Sequence, residues 1–137
     1  HSFQYEGEMK IIVSKDSPLA FNKELPVEDI MEYPFVMYAS SFWDTLLEDI
    51  ENHHGPINVI FKTTNTELIE KTVSEGLGIS LMSNLMLKDD PYVESGRIIS
   101  IPFTGYHLDS RGSFGGICLK DRNQYRLIKK FLEYIEL

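Results

Sequence analysis

The apolar residues of this chain change period several times, and each change marks an element. Met9-Lys10-Ile11-Ile12-Val13 is rich in β-branched residues and predicts a strand. Asp16-Ser17-Pro18 follows as a turn signal, and Pro26-Val27-Glu28-Asp29-Ile30-Met31, with proline at a first-turn position, predicts a short helix. Phe35-Val36-Met37-Tyr38 is continuously apolar, the pattern of a strand covered on both faces. From Ser41 to His54 the period becomes helical. Phe42, Trp43, Leu46, Leu47 and Ile50 share one face, Ser41 is the expected N-cap, Asp44 suits the first turn, and Gly55-Pro56 ends the helix.

Ile57-Asn58-Val59-Ile60-Phe61 predicts the next strand. Thr64-Asn65-Thr66-Glu67 has the form of a capping box with Thr64 as the cap. The helix it opens carries Leu68, Ile69, Thr72 and Val73 on one face and stops at Gly76. Leu77-Gly78-Ile79-Ser80-Leu81-Met82 supplies a third strand. The order is βαβαβ with short links, which argues for a parallel, right-handed α/β unit. Beyond Met82 the sequence predicts a short helix at Leu85-Met86-Leu87, a turn at Asp89-Asp90-Pro91 and a strand from Arg97 to Phe103. A polar loop at Asp109–Ser113 and a strand within Gly115–Lys120 follow. A closing helix from about Asp121 carries Leu127, Ile128, Phe131, Leu132 and Ile135 on one face.

Composition narrows the class. A chain of 137 residues suits one domain or two small lobes, and a chain of this size buries roughly 70% of its unfolded surface. The net charge of −8, from 21 acidic and 13 basic residues, would repel a phosphate backbone, so this chain is not expected to bind DNA by itself. No apolar run approaches the ~20 residues of a membrane span, and no signal segment is visible at the start. The opening His1-Ser2-Phe3-Gln4, without an initiator Met, reads as part of a longer protein. A single cysteine, Cys118, excludes an internal disulfide, and its apolar neighbours favour a buried small residue over a reactive thiol.

In a parallel α/β unit every strand C-terminus meets a helix N-terminus on the same edge. Two such junctions are legible, Tyr38-Ala39-Ser40-Ser41-Phe42 and Thr63-Thr64-Asn65-Thr66. Each offers backbone amides, a partial positive charge and hydroxyls, together a plausible cradle for a carboxylate or another small anion. These residue types are also common helix caps, so each residue alone has a purely structural reading. Nucleophile elbows, Walker-type loops and His-Glu-x-x-His are absent. Gly76-Leu77-Gly78 follows a helix and precedes a strand, the reverse of a dinucleotide fingerprint. Glu67 and Glu70 read as a solvated charged face, and His53 and His54 as residues suited to a helix C-terminus rather than metal ligands.

Thr66-Glu67-Leu68-Ile69, Thr72-Val73 and Glu75-Gly76-Leu77-Gly78-Ile79-Ser80-Leu81-Met82 together resemble the most recognisable stretch of the LysR-type effector-binding domain. Ser17-Pro18-Leu19-Ala20 is similar to that family's His-Pro-Leu-Ala turn, with serine in place of histidine. Pro34-Phe35-Val36 is similar to its Pro-Phe-Ile strand, and Gly96-Arg97-Ile98-Ile99 and the Phe131-Leu132 helix fall at the expected later positions. The resemblance runs from about Met9 to the end. It implies a periplasmic-binding-protein-like (type 2) α/β fold, a mostly parallel sheet flanked by helices, with one lobe essentially complete and the other partial. Residues 10–105 would form the second lobe and 106–137 the return segment to the first.

The family's DNA-binding winged helix-turn-helix has no counterpart here. The resemblance places a small-molecule effector, an anion by the chemistry of the two junctions, at Ser40, Ser41 and Phe42 on one side and Thr64, Asn65 and Thr66 on the other. It implies a homodimer or higher oligomer that uses the helix Ser41–His54 and the strand Ile57–Phe61. It further implies contact with DNA through the missing domain alone, cytoplasmic location, no membrane, no cofactor, no metal and no catalysis. A solute-binding receptor of similar fold and a small α/β enzyme are the alternatives.

Overall fold

The computed structural model describes residues 8–104 and the short strands Ser113–Phe114 and Ile117–Cys118. In chain order the elements are β1 (Met9–Ser14), a 3-10 turn (Pro18–Phe21), β2 (Leu25–Pro26), a second 3-10 turn (Val27–Asp29), β3 (Phe35–Tyr38) and α1 (Ser41–His54). Then come β4 (Val59–Thr63), α2 (Thr66–Ser74), β5 (Ser80–Ser83), α3 (Pro91–Glu94), β6 (Ile98–Thr104), β7 (Ser113–Phe114) and β8 (Ile117–Cys118). The predicted βαβαβ unit is β3-α1-β4-α2-β5.

Strands β3 and β4 pair in parallel, and Phe35 bridges Ile79 in parallel just before β5. Strand β1 runs antiparallel to both β5 and β6, and β2 lies parallel to β6. Taken through the Phe35–Ile79 bridge, the strand order is β2-β6-β1-β5-β3-β4, and β1 alone opposes the common direction. Because β1 runs against the others, its start at Met9 lies on the edge where β5 ends, and its register places Lys10 opposite Pro102 of β6. The chain therefore enters and leaves this sheet on the same edge.

The continuous apolar runs divide between two faces, as a period of 2 requires. Ile11, Val13, Phe35, Met37, Leu81, Ile101 and Phe103 pack with Phe42, Trp43, Leu46, Leu47 and Ile50 of α1. Ile12, Val36, Met82 and Ile98 pack with Ile69 and Val73 of α2. Helices thus cover both faces, which is why β1 and β3 show no polar alternation. Full burial of each such side chain contributes about 1.5–3 kcal/mol. The indole of Trp43 meets the Phe42 ring edge-on, 4.9 Å between centroids at 88°.

Several expectations are corrected in detail. The segment from Pro26 forms a single 3-10 turn, with Pro26 itself in β2, and Leu85-Met86-Leu87 lies in a run of turns rather than a helix. Strand β4 begins at Val59, two residues later than expected, and carries a register shift: Phe35 pairs with Val59 while Val36 pairs with Phe61. Ile60 is the extra residue of this bulge and is half exposed. Leu68, expected on the buried face of α2, is 43% exposed. The place beside Ile69 is taken by Glu70, which is 4% exposed and so does not belong to a solvated face.

Gly76 ends α2 as expected. Its φ of +78° lets its amide donate to the Val73 carbonyl at 2.9 Å, and the Leu77 amide donates to the Thr72 carbonyl at 3.2 Å, a Schellman arrangement. Of the C-terminal expectations, β8 falls inside the predicted strand Gly115–Lys120 and Ser113 joins β7 rather than the loop. The rest of that loop and the helix from Asp121 lie outside the described residues, as does the side chain of Cys118.

Leu46→Ala, at a fully buried position, is expected to cost about 2–5 kcal/mol in urea denaturation, whereas Leu77→Ala, at a position 59% exposed, should change stability by less than about 0.5 kcal/mol.

Candidate functional site

The register of β3 and β4 sets Tyr38 opposite Thr63, and the Ala39 amide donates to the Thr63 carbonyl at 3.0 Å. The two strand ends and the helices that follow them are therefore side by side on one edge. Ser40 and Ser41 follow the end of β3, and Thr64, Asn65 and Thr66 follow the end of β4.

Their roles differ from expectation. Ser40, not Ser41, caps α1: its backbone is extended, and its hydroxyl accepts from the Trp43 amide at 3.3 Å. Asn65, not Thr64, caps α2: its side-chain oxygen accepts from the Leu68 amide at 3.1 Å, and its own amide donates to the Thr63 hydroxyl at 3.0 Å. The caps consume Ser40 and Asn65, and leave the exposed Ser41 and Thr64 hydroxyls outside the capping bonds. Phe42 is 2% exposed and its ring is withdrawn into the core, so its side chain presents no surface at this edge. First-turn amides have no acceptor inside a helix, and the two caps take those of Trp43 and Leu68. Both helix ends add partial positive charge. The Asp44 carboxylate in the first turn of α1 is paired with Lys62 at 2.9 Å, which offsets its charge.

A third strand end shares this edge and was missed in the sequence. Ser83-Asn84 closes β5; the Asn84 amide donates to the Glu8 carbonyl at 2.9 Å, and the Asn84 side-chain oxygen accepts from the Glu8 amide at 2.8 Å. Asn84 thereby ties the chain's entry into β1 to the end of β5. No local pattern marks it, because the partner is 76 residues away.

The opposite edge holds a cavity of about 290 Å³ between the start of β3, the start of β5 and the end of α2. Asp16, Glu75, Ser14, Ser17, Tyr33 and Ser74 supply its polar lining, and among the described residues no basic side chain lines it. It lacks the positive character that an anion requires and stands apart from the paired helix N-termini.

Glu70, also missed, is the ionisable group most perturbed among the described residues. Burial pushes its carboxyl up to about 8, with hydrogen bonding to Asp90 and the negative charges of Asp90 and Glu67 adding in the same direction. Among the described residues no group of three or more His, Cys, Asp or Glu side chains could hold a metal ion. His53 lies at the C-terminal end of α1, with its ring Nδ1 2.9 Å from the Asp49 carbonyl. Among the described residues no helix is long and apolar enough to cross a membrane.

Residues 4–136 match the LysR substrate binding domain family. The HTH-type transcriptional regulator CysB of Haemophilus influenzae is 35% identical over 79 residues, 55% of this chain and 24% of that protein. The malolactic fermentation system transcriptional activator of Lactococcus lactis subsp. lactis is 28% identical over 101 residues, 72% of this chain and 33% of that protein. Among solved structures, the Synechocystis PCC6803 CcmR regulatory domain in complex with 2-PG superposes with a TM-score of 0.62 at 18% identity, covering 99% of this chain and 64% of that one. The MetR regulatory domain of N. meningitidis superposes with a TM-score of 0.62 at 21% identity, covering 96% and 62%. The chain belongs to the LysR substrate-binding domain family, with the periplasmic-binding-protein-like α/β fold of that family. It spans a quarter to a third of the length of these two curated relatives.

The capping assignments are open to direct test: Ser40→Ala and Asn65→Ala should each lower stability by about 1 kcal/mol, and Ser41→Ala and Thr64→Ala should leave the thermal midpoint essentially unchanged.

Proposed function

We propose that this chain is the effector-sensing part of a LysR-type transcription regulator. Residues 10–105 form the second lobe of a two-lobed domain, and 106–137 return to the first. Ser40, Ser41, Thr64, Asn65 and Thr66, with the backbone of Phe42, form one wall of a site for a small anionic effector. The observation that carries this reading is the Tyr38–Thr63 register, which sets two capped helix N-termini side by side on the edge where β1 begins. An anion there meets backbone amides and two helix dipoles, with Asp44 paired to Lys62 in the first turn of α1 and Glu67 in the first turn of α2. The structural likeness to a regulatory domain solved with 2-PG supports a small-molecule site in this fold.

Signalling requires that the effector bind one arrangement of lobes or subunits more tightly than another, since a ligand with equal affinity for both shifts nothing. Contact with DNA belongs to a separate domain of the full-length protein, in keeping with the net charge of −8 here. The regulator works in the cytoplasm as a homodimer or higher oligomer through α1 and β4. Support for that surface comes from β4 itself: among the described residues it pairs on one side alone, and its bulge pushes Ile60 outward.

The site is tested by calorimetric titration of the full-length protein with small carboxylates and phosphate esters. Ser41→Ala and Thr64→Ala, which leave the caps intact, should each raise the Kd of the bound effector about two- to tenfold, the worth of one neutral hydrogen bond. Unchanged affinity in both variants would remove this edge from the site. For the oligomer, Ile60→Lys should weaken self-association in sedimentation velocity, and an unaltered distribution would take β4 out of the interface.

A further inference from the structure

We infer that the cavity on the opposite edge is a second ligand site, one that takes a small organic cation bearing an ammonium or guanidinium group. Its volume of about 290 Å³ lies at the lower end of small-molecule pockets, which span roughly 300–1,000 Å³. Three separate parts of the chain wall it: the turn after β1, the entry to β3, and the end of α2 with its return into β5. Ser41 and Thr64 stand at the other ends of the strands, so the two sites do not overlap.

The walls carry charge of one sign. Asp16 and Glu75 line the cavity, and neither carboxylate forms an ion pair among the described residues. Helix α2 ends here, and the last carbonyls of a helix add partial negative charge. Lys15 adjoins Asp16 in sequence, and Lys71 precedes Glu75 by one helical turn. Both lysines are exposed, and neither lines the cavity nor pairs with these carboxylates.

The hydroxyls favour the same chemistry. Ser14, at the end of β1, lines the cavity and is only 5% exposed. Its oxygen accepts from the Asp16 amide at 3.2 Å, and the Ser17 oxygen accepts from the Leu19 amide at 3.1 Å. The Ser74 hydroxyl donates to the Lys71 carbonyl at 2.8 Å. Each of these oxygens keeps a lone pair, since a hydroxyl oxygen can accept twice. Acceptors from Ser14, Ser17, Ser74, Asp16 and Glu75 therefore surround one space. Ammonium and guanidinium groups donate several hydrogen bonds and accept none, which complements that lining.

The lining suits an organic cation better than a metal ion. Among the described residues no group of three or more His, Cys, Asp or Glu side chains could hold a metal, so a bare divalent cation lacks the oxygen cage it needs. Pro18, Pro34 and Ile79 supply apolar wall for an alkyl body. Tyr33 lines the same space with an aromatic ring, a group that attracts cations. The inference does not depend on the effector reading.

Calorimetric titration of the intact protein with methylguanidine, n-butylamine and agmatine tests the site, with n-butanol as the uncharged control. At least one of the three cations should bind saturably, and n-butanol should not. Asp16→Asn and Glu75→Gln should each raise the Kd of that cation about two- to fivefold, the worth of a partly exposed ion pair, and together more than either alone. Glu24→Gln combined with Glu28→Gln makes the same charge change at exposed positions off the cavity and should leave the Kd unchanged. Absence of saturable binding by all three cations would overturn the proposal. Equal weakening by the two double variants would also overturn it, because the cation would then be answering diffuse surface charge rather than this cavity.

Discussion

Strand β3 is held from both sides by backbone bonds, and the rest of the chain is arranged around it. The Phe35 amide donates to the Asn58 carbonyl at 2.8 Å on the β4 side, and the Val36 amide donates to the Ile79 carbonyl at 2.9 Å on the β5 side. A strand pinned this way has no free edge, so both of its faces must be covered. Phe35 and Met37 accordingly enter the core under α1, and Val36 enters the core under α2. Gly78 follows from the same constraint: a Cβ there would stand 3.2 Å from the Pro34 carbonyl oxygen, which the Ile79 amide reaches at 2.9 Å. The close return of the chain after α2 is what permits β5 to join the sheet.

That pairing also creates the candidate site. Parallel strands with helical crossovers deliver every helix N-terminus to one edge, and the Tyr38–Thr63 register makes two of them neighbours. The antiparallel β1 brings the chain's entry to the same edge, where Asn84 clamps Glu8. Structural capping falls on one residue at each junction and leaves its neighbour's hydroxyl outside the capping bonds. Ser40 and Asn65 are committed to the helices, whereas Ser41 and Thr64 face outward.

The opposite requirement governs Glu70. A charged face would place it in water, yet in α2 it is 4% exposed, and burial pushes its carboxyl pKa up. The chain's net charge is −8, and among the described residues Glu70 is the one buried carboxyl-bearing residue.

Much of this was legible in the residues themselves. The span of α1, the stop at Gly76, the βαβαβ order and the sharing of one edge by the two junctions follow from apolar period, glycine placement and chain handedness, which are local or nearly so. What the residues alone did not determine depended on relations between distant segments. Choosing between Ser40 and Ser41, or between Thr64 and Asn65, required the exact exit of each strand, because a cap is defined by backbone direction and both neighbours are chemically able. The bulge at Ile60 arises from register against β3, and Asn84 acts on a residue 76 positions away. Glu70 lies three residues before Val73, about 60° away around the helix, at the border of the apolar face, where period does not separate a buried side chain from an exposed one. Its burial was decided by how α2 sits on the sheet, a property of the tertiary structure and of no single segment.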